Sequence, residues 1–324
     1  MSSSSSFVRT ALVTIGLTYA LITVGAIVRV SGAGMGCPDW PRCFGLLVPP
    51  TSIDELPLPG TYAYPPGWSV ESFDPLMTWI EFLNRLLGML VGFAILATLI
   101  SAIRAHRRRR GVLWPVVGAF VGVLYAAWLG GRVVAHELAP WIVTAHLLSA
   151  IAVVSLLVIA TVNAISAVAT KTTTTDAVSR LAWGAAALAL VQGALGTQVR
   201  GILEDTARHR PELARAAWIG EVGFIDLAHR GLALAVAAAV VAVFIVVRKK
   251  RGEQRALARA ATSAVVLVGV QIAVGAALAN AGLPKALQVF HLLAAALLLG
   301  ALTTTAMLAR GPQALLDPVG SLSA

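Results

Sequence analysis

The chain has 324 residues, of which 58% are hydrophobic and only 12% are charged, and its mean hydropathy is +0.82. A soluble domain carries roughly twice that charged fraction, about 25%, so the composition excludes intrinsic disorder and argues against a soluble enzyme. The formal net charge of +10 does not indicate a nucleic-acid partner, because the basic residues cluster in short loops between apolar runs. We therefore expect a protein embedded in the lipid bilayer.

Eight apolar stretches are long enough to cross about 30 Å of hydrocarbon as α-helices. They lie near 8–30, 79–103, 112–135, 141–168, 181–199, 225–247, 260–280 and 286–308. The first is interpreted as a span rather than a signal peptide, because no small-residue cleavage site follows a short apolar core. The sequence thus predicts an all-α polytopic membrane protein with eight transmembrane helices.

Two short loops, between spans two and three and between spans six and seven, are strongly basic. Their basic residues are Arg104, Arg107, Arg108, Arg109 and Arg110 in the first, and Arg248, Lys249, Lys250, Arg251, Arg255 and Arg259 in the second. The positive-inside rule places both loops in the cytoplasm. In a cell membrane, both termini are then cytoplasmic, and the longer segments 31–78 and 200–224 lie outside.

The outer segment 31–78 contains the two cysteines of the chain, Cys37 and Cys43. Because they are close in sequence and face the oxidising side, we expect one disulfide that closes a small loop. Two thiolates supply only half of a zinc site, which argues against a metal centre. The spacing leaves open whether the pair is a structural staple or redox-active.

The two halves of the chain repeat each other. Spans two and six open on similar motifs, Glu81-x-x-Asn84-Arg85 and Asp226-x-x-His229-Arg230, and the fourth and eighth spans carry His146 and His291. His146 follows Asn84 by 62 residues, and His291 follows His229 by the same number. Spans one and five carry a Gly-Ala pair before an outer arginine: Gly25-Ala26 before Arg29, and Gly193-Ala194 before Arg200. Such a repeat predicts two pseudo-symmetric four-helix bundles, 1–175 and 176–324.

Intramembrane histidines are costly to bury and are candidates for function. His229 and His291 lie near the outer ends of two spans, where neighbouring antiparallel helices can present both as axial ligands to a haem iron. A hydrogen bond to a neighbouring helix is the alternative role for each histidine. His106, His136 and His209 lie in or beside loops, so we expect them to be solvated or interfacial.

The charged residues of the repeat motif suggest further roles. Glu81 is three residues before Asn84 and shares its helix face, so its carboxylate is expected to point towards a pocket near His146 and to accept a proton there. The alternative is an ion pair with Arg85 at the membrane surface. Arg85 and Arg230 can pair with haem propionates, or extend to the outer lipid headgroups.

Over nearly its full length the chain resembles the heme A synthase family. The most specific segment runs from Gly25 through the cysteine loop to Cys43, and the motifs at Glu81, His146, His229 and His291 add to it. The resemblance implies an oxidoreductase that converts the C8 methyl group of haem O to a formyl group by successive hydroxylation and loss of water. It also implies that a haem O synthase delivers the substrate, while the electron acceptor stays unidentified.

The resemblance also assigns the residues. It implies a haem b cofactor in the C-terminal half, held by His229 and His291 with Arg230 beside it. In the N-terminal half it implies a substrate haem O site at His146, Asn84 and Arg85, with Glu81 as the catalytic residue. A disulfide between Cys37 and Cys43 is typical of family members that have the pair.

One position departs from the family, whose usual motif is Glu-x-x-His-Arg, because this chain has Asn84 at the histidine position. Asparagine is a poor ligand for iron, so the N-terminal half is expected to keep His146 but to lose bis-histidine ligation. An open iron position would admit an oxidant or water. Alternatively, asparagine at this position would indicate an altered activity. A b-type membrane cytochrome or haem-handling protein is therefore the alternative function. A small-solute transporter would place polar groups at mid-membrane, whereas here they cluster near the outer ends.

Overall fold

The computed structural model describes residues 3–58, 60–65, 68–166, 176–249 and 255–310. Within these ranges the chain is helical and contains no β-strand. The α-helices are α1 (Ser3–Ser31), α2 (Pro75–His106), α3 (Arg110–Ala135), α4 (Pro140–Ser166), α5 (Asp176–His209), α6 (Trp218–Val222), α7 (Phe224–Lys249), α8 (Arg255–Asn280) and α9 (Lys285–Arg310). All except the short α6 are long and apolar enough to cross a membrane, which confirms the predicted multi-pass architecture and its eight spans.

The helices form two rings of four. In the N-terminal half α1 packs on α2, α2 on α3, α3 on α4 and α4 on α1; in the C-terminal half α5, α7, α8 and α9 repeat this order. The halves meet where α9 contacts α1 and α4, and where α4 contacts α5. Because each half has an even number of long apolar helices, the two halves are expected to cross a membrane in the same sense.

Some sequence predictions fall on residues that the structure does not describe. The proposed boundary between the halves lies at the end of the segment 167–175, and the basic residues Lys250 and Arg251 lie in 250–254. The other cluster is described: Arg104 is in the last turn of α2, and Arg109 and Arg110 connect α2 to α3.

Helix α5 is longer at its outer end than the sequence predicted. It continues to His209, so residues 200–209 of the predicted outer loop are helical. Its 34 residues correspond to about 51 Å, well beyond the hydrocarbon thickness. The extension carries an ion pair between Arg200 and Glu204, which lie one helical turn apart. Such pairs stabilise an exposed polar helix, which explains why this segment is helical and not the loop that hydropathy predicted.

The largest apolar cluster of the C-terminal bundle lies towards one end. It combines residues of Val178–Ala189, Val236–Val247, Leu257–Val268 and Leu298–Ala309. At the other end a smaller cluster is formed by Leu203, Val222 and Leu283, whereas no residue of 224–235, 269–280 or 285–293 is buried. In the N-terminal half, no residue of 82–90 in α2 or 143–150 in α4 is buried. The helix segments that carry the four repeat positions are therefore less buried than the segments nearer the basic loops.

Candidate haem-binding sites

Each of the four repeat positions lies against a glycine of another helix in the same bundle. In the C-terminal half, a Cβ atom on Gly196 would lie 3.1 Å from Cε1 of His229, and one on Gly275 would lie 3.5 Å from Cε1 of His291. In the N-terminal half, a Cβ atom on Gly130 would lie 3.6 Å from Cε1 of His146, and one on Gly25 would lie 3.9 Å from Oδ1 of Asn84. Small residues let a neighbouring helix and a large side chain approach closely. The glycines thus make room for the rings inside both bundles.

The three histidines lie at closely similar depths. His146 and His291 both come six residues after the start of their helices, and His229 five residues after. At a rise of 1.5 Å per residue, this places all three about 8–9 Å from the outer helix ends. The equal depth predicted from the repeat therefore agrees with the helix boundaries. The prediction that His229 and His291 lie on neighbouring antiparallel helices is wrong, because α7 and α9 start at the same end and lie diagonally across the ring of four helices.

The structure corrects one detail of the repeat. The sequence aligned Gly193 with Gly25, but Gly193 has nothing within 4 Å of its missing side chain, whereas Gly196 faces His229. Gly196 and Gly25 each precede an arginine by four residues, in Gly-x-x-Val-Arg. The adjacent Gly-Ala pairs were misleading because both spans are rich in small residues, and the distance to the arginine was the better signal.

Gln192 is a functional candidate that the sequence analysis missed. It lies one turn below Gly196 on α5; its Nε2 is 3.1 Å from Nδ1 of His229 and donates a hydrogen bond to the His229 carbonyl at 2.9 Å. Gln271 has the same spacing to Gly275 on α8, and the side-chain oxygens of both glutamines are buried without a partner. The recurring Gln-x-x-x-Gly is a sequence signal that would have found them.

The outer arginine of the C-terminal half is free to take a further ligand. Arg230 pairs with Asp226 at 2.7 Å, and 53% of its side chain is exposed. Nδ1 of His291 is buried and has no hydrogen-bond partner within the described chain.

In the N-terminal half, Glu81 is buried beneath the cysteine loop. One carboxylate oxygen accepts the backbone N–H of Cys37 at 2.8 Å, and the other lies 2.5 Å from Nη2 of Arg85. The ion pair considered as the alternative is therefore present, but it is covered by the loop rather than exposed at the membrane surface. A role for this carboxylate towards His146 stays a prediction.

Arg85 holds the loop through its backbone carbonyls. Nη1 donates to the carbonyls of Asp39 at 2.6 Å and Arg42 at 2.8 Å, and Nη2 donates to Cys37 at 3.1 Å and to Glu81. These bonds use the four N–H groups of the two terminal nitrogens. The contact of Arg85 with a haem propionate therefore stays a prediction. Of the guanidinium N–H groups, only Nε–H is left to make it.

The disulfide between Cys37 and Cys43 is present, as predicted. The loop docks closely on α2: Oγ1 of Thr78 donates to the Gly36 carbonyl at 2.9 Å, and a side chain at Gly36 would meet the Met77 carbonyl oxygen at 2.5 Å. Glycine is thus required at position 36 by the close approach of the two backbones.

A small aromatic core supports the loop from outside. Phe44 is buried and packs on four rings, those of Tyr62, Tyr64, Trp68 and Phe73. Burial, together with the Asp39 carboxylate, raises the pKa of Tyr62. At its other edge the loop places Trp40 over Gly131, the neighbour of the glycine that faces His146. The loop therefore covers the outer end of the N-terminal bundle from α2 to α3.

A second polar cluster missed from the sequence joins the two halves. Arg29 of α1 donates twice to Glu204 of α5, at 3.0 and 2.9 Å, and Arg200 donates to the same carboxylate at 2.7 Å. Arg200 also bonds to Gln288 of α9. The two arginines of the repeat thus bind the same carboxylate. The N-terminal half has no such carboxylate, because Ala33 occupies the position equivalent to Glu204.

One histidine prediction is wrong. His106 was expected to be solvated or interfacial, but it is buried and packs edge-to-face on Phe7 at 5.0 Å. The reason is that α2 continues to residue 106, which turns the ring towards α1 instead of leaving it in a loop. His136 and His209 are exposed, as expected.

The family of the chain follows from its sequence. A model of the COX15-CtaA family, described as cytochrome oxidase assembly protein, matches residues 8–303. The chain belongs to this family. The match includes all four glycine-faced positions and the cysteine loop, so the geometry described above lies within the family's common region.

Relatives of this family member include proteins named heme A synthase in three bacteria. The Shewanella oneidensis protein is 29% identical over 147 residues, which cover 45% of this chain and 42% of that protein. The Rhizorhabdus wittichii protein is 27% identical over 314 residues, 88% of this chain and 89% of its own length. The protein of Caulobacter sp. strain K31 is 28% identical over 333 residues, with 91% and 94% covered.

The C-terminal site of this family member fits a haem. Two histidines at one depth face glycines, no residue of the helix segments that carry them is buried, and within the described residues buried polar atoms of His291, Gln192 and Gln271 have no partner. Unpaired buried polar atoms are uncommon in proteins and need an explanation, which a bound group that reorients these side chains provides. Imidazole is a suitable ligand for iron.

Proposed function

We propose that this protein is a heme A synthase, an oxidoreductase that converts the C8 methyl group of haem O to a formyl group. The observation that carries the proposal is the set of four glycine-faced positions, three of them histidine, at the outer ends of two repeated bundles in a member of this family. Relatives that match most of the chain bear that name.

The C-terminal half would hold a haem b cofactor. His229 and His291 would be its iron ligands, and Arg230, already paired on one side with Asp226, would donate to a propionate. Gln192, whose Nε2 lies 3.1 Å from Nδ1 and 3.4 Å from Nε2 of His229, would help to hold that ring in position. When bound, this haem supplies a one-electron redox centre beside the substrate half.

The N-terminal half would hold the substrate, haem O, at His146 and Asn84. Converting a methyl group to a formyl group removes electrons and protons in successive hydroxylations, followed by loss of water. Glu81 is the group of this half that we assign as proton acceptor, because it is a buried carboxylate fixed in position by Cys37 and Arg85. The electrons leave to an acceptor that is not identified, and a haem O synthase supplies the substrate.

The proposed orientation places both termini in the cytoplasm and both haem sites near the outer face. It is supported by the position of the basic residues at one end of the helices and of the histidines at the other. The disulfide then lies on the oxidising side.

The test is co-expression with a source of haem O in a host that lacks haem A, followed by chromatography of the extracted haems. We expect haem A with the natural sequence. Glu81→Gln should keep the fold and haem b but lose haem A, because the amide keeps the size of the side chain and removes its basicity. Glu71→Gln, at an exposed glutamate of the same loop, is the matched control and should behave as the natural protein.

Two results would contradict the proposal. Haem b alone, with no haem A under conditions of haem O supply, would support a b-type cytochrome instead. Normal haem A output from Glu81→Gln at matched protein level would show that this carboxylate has no role in the reaction.

A further inference from the structure

The two bundles differ at one of the two pairs of glycine-faced positions. His229 and Asn84 occupy the same place in the motif, precede the second histidine by the same 62 residues, and face the matching glycines Gly196 and Gly25. Within the described residues, the C-terminal bundle therefore presents two rings to its centre, and the N-terminal bundle presents the ring of His146 and an amide.

We propose that the N-terminal site holds its haem through His146 alone and keeps the iron face beside Asn84 open to a small neutral ligand such as water, dioxygen or carbon monoxide. The proposal rests on the proposed function, since it requires a haem in this half. It assigns to Asn84 the role of a hydrogen-bonding partner for that ligand instead of an axial ligand.

The chemistry of the side chain supports this role. Amide oxygens suit hard ions such as Mg²⁺ and Ca²⁺, whereas haem iron takes imidazole, thiolate or thioether ligands. The amide is also shorter than an imidazole, so from the same backbone position it ends farther from the centre of the bundle. An iron held by His146 thus keeps a vacant face with an amide beyond it.

The surroundings of Asn84 leave its amide available. Its Oδ1 is buried and has no hydrogen-bond partner in the described chain, and the glycine opposite leaves open space. One turn below that glycine stands Leu21, where the C-terminal half has Gln192. An amide carries both donor and acceptor groups, so it can bond to the outer atom of a diatomic molecule or to a water hydrogen.

The charges of the site favour a neutral ligand. The nearest cation of the motif, Arg85, has both terminal nitrogens committed to Glu81 and to loop carbonyls. No uncommitted terminal N–H of this guanidinium is therefore available to attract an anion. The cysteine loop above the site limits the ligand to a small size, because the loop backbone is tied to α2 at Gly36, Cys37 and Asp39.

The test uses the purified holoprotein titrated with haem O until no more binds, then reduced and exposed to carbon monoxide. We expect two haems per chain, one low-spin and one high-spin, with carbon monoxide binding to half of the total haem. Asn84→His should convert the high-spin haem to low-spin and abolish carbon monoxide binding. His146→Ala should remove the high-spin haem. Asn280→His, the same change at an exposed asparagine, is the control and should leave both spectra unchanged.

The outcomes separate the two proposals. Two low-spin haems in the natural protein, neither of which binds carbon monoxide, would overturn the open-site proposal and leave the proposed function standing. Failure of haem O to bind as a second haem would overturn the proposed function itself. The optical and electron paramagnetic resonance spectra of the natural protein decide this even if a variant fails to fold.

Discussion

At the scale of single residues, a glycine of a neighbouring helix makes room for the side chain at each of the four repeat positions. Gly196 and Gly275 leave space for His229 and His291, and no residue of 224–235, 269–280 or 285–293 is buried. Intramembrane histidines are costly to place and are candidates for function. The proposed ligation of a haem accounts for the position of these two rings.

The first prediction concerns these two rings. His229→Ala and His291→Ala should each abolish the bis-histidine low-spin spectrum of haem b, because either change removes one axial nitrogen. The optical and electron paramagnetic resonance spectra of purified protein measure this. His209→Ala, at an exposed histidine, is the control. If both single variants keep an unchanged low-spin haem b, the assignment of the ligands is wrong.

The second prediction concerns Gln192, which contacts the His229 ring. Gln192→Leu, which copies Leu21 of the other half, should weaken haem b retention about 10–100-fold, because partners that orient a metal-bound histidine typically contribute that much. It should also shift the midpoint potential of haem b, because the side chain that contacts the His229 ring is lost.

The matched control for this prediction is Gln198→Leu, at a glutamine of the same helix that bonds to Thr144 instead. A potential and a haem content for Gln192→Leu equal to those of the natural protein would show that the glutamine only fills space. Redox titration followed by haem extraction separates the two roles.

At the scale of elements, α2 is the support of the outer loop. Thr78, Glu81 and Arg85 recur at three- and four-residue intervals on one face, and all three bond to the loop backbone between Gly36 and Arg42. A helix face of this kind holds an irregular segment without regular secondary structure, because it satisfies the backbone groups that the loop leaves unpaired.

The third prediction concerns the disulfide within this loop. Cys37→Ser should loosen the loop more than the bundle, because closing so short a loop contributes only about 2–3 kcal/mol and the contacts from α2 remain. Limited proteolysis should cut the segment between Cys43 and Phe73 faster, with haem b retained.

The same loosening is expected for Cys43→Ser, whereas a change outside the disulfide, Ser52→Ala, should not affect cleavage. Two free thiols in freshly prepared protein, measured by mass spectrometry without reductant, would contradict the presence of the bond. Equal proteolysis of the variant and the natural protein would show that α2 alone holds the loop.

At the scale of the whole molecule, the two bundles share few polar contacts, and Glu204 is at the centre of one of them. Its carboxylate receives Arg29 from the first half and Arg200 from its own helix, with about a fifth of these side chains exposed. The carboxylate therefore joins α1 to α5 at the outer ends, beyond the apolar contacts of α9 with α1 and α4.

The fourth prediction is that Glu204→Gln destabilises the protein by about 1–3 kcal/mol, because it leaves two partly buried guanidinium groups without a counter-charge. This is below the value of about 3–5 kcal/mol typical of a fully buried pair, since solvent screens part of the interaction. Thermal unfolding in detergent measures the change. Glu212→Gln, in the exposed pair with Arg210, is the control and should have almost no effect. An unfolding temperature equal to that of the natural protein would exclude a role for Glu204 in joining the halves.

Hydropathy, charge and spacing alone predicted the number of spanning helices, the internal repeat, the disulfide and the equal depth of the histidines. These properties follow from the order of residues along one chain, because a span must be long and apolar and a duplicated unit keeps its internal distances. The predictions for the end of α5 and for the exposure of His106 were wrong. A helix boundary depends on paired charges and on neighbouring helices, which hydropathy does not measure.

Only the tertiary structure decided which residues meet. Glu81 bonds to Cys37 across 44 residues, Gln192 to His229 across 37, and Arg29 to Glu204 across 175. Such pairs depend on how each helix is rotated about its own axis. In a membrane that rotation is poorly marked in the sequence, because the surface facing lipid is as apolar as the surface facing the core. The sequence therefore predicted the helices and the candidate functional residues. The packing of the helices decided which side chains contact one another.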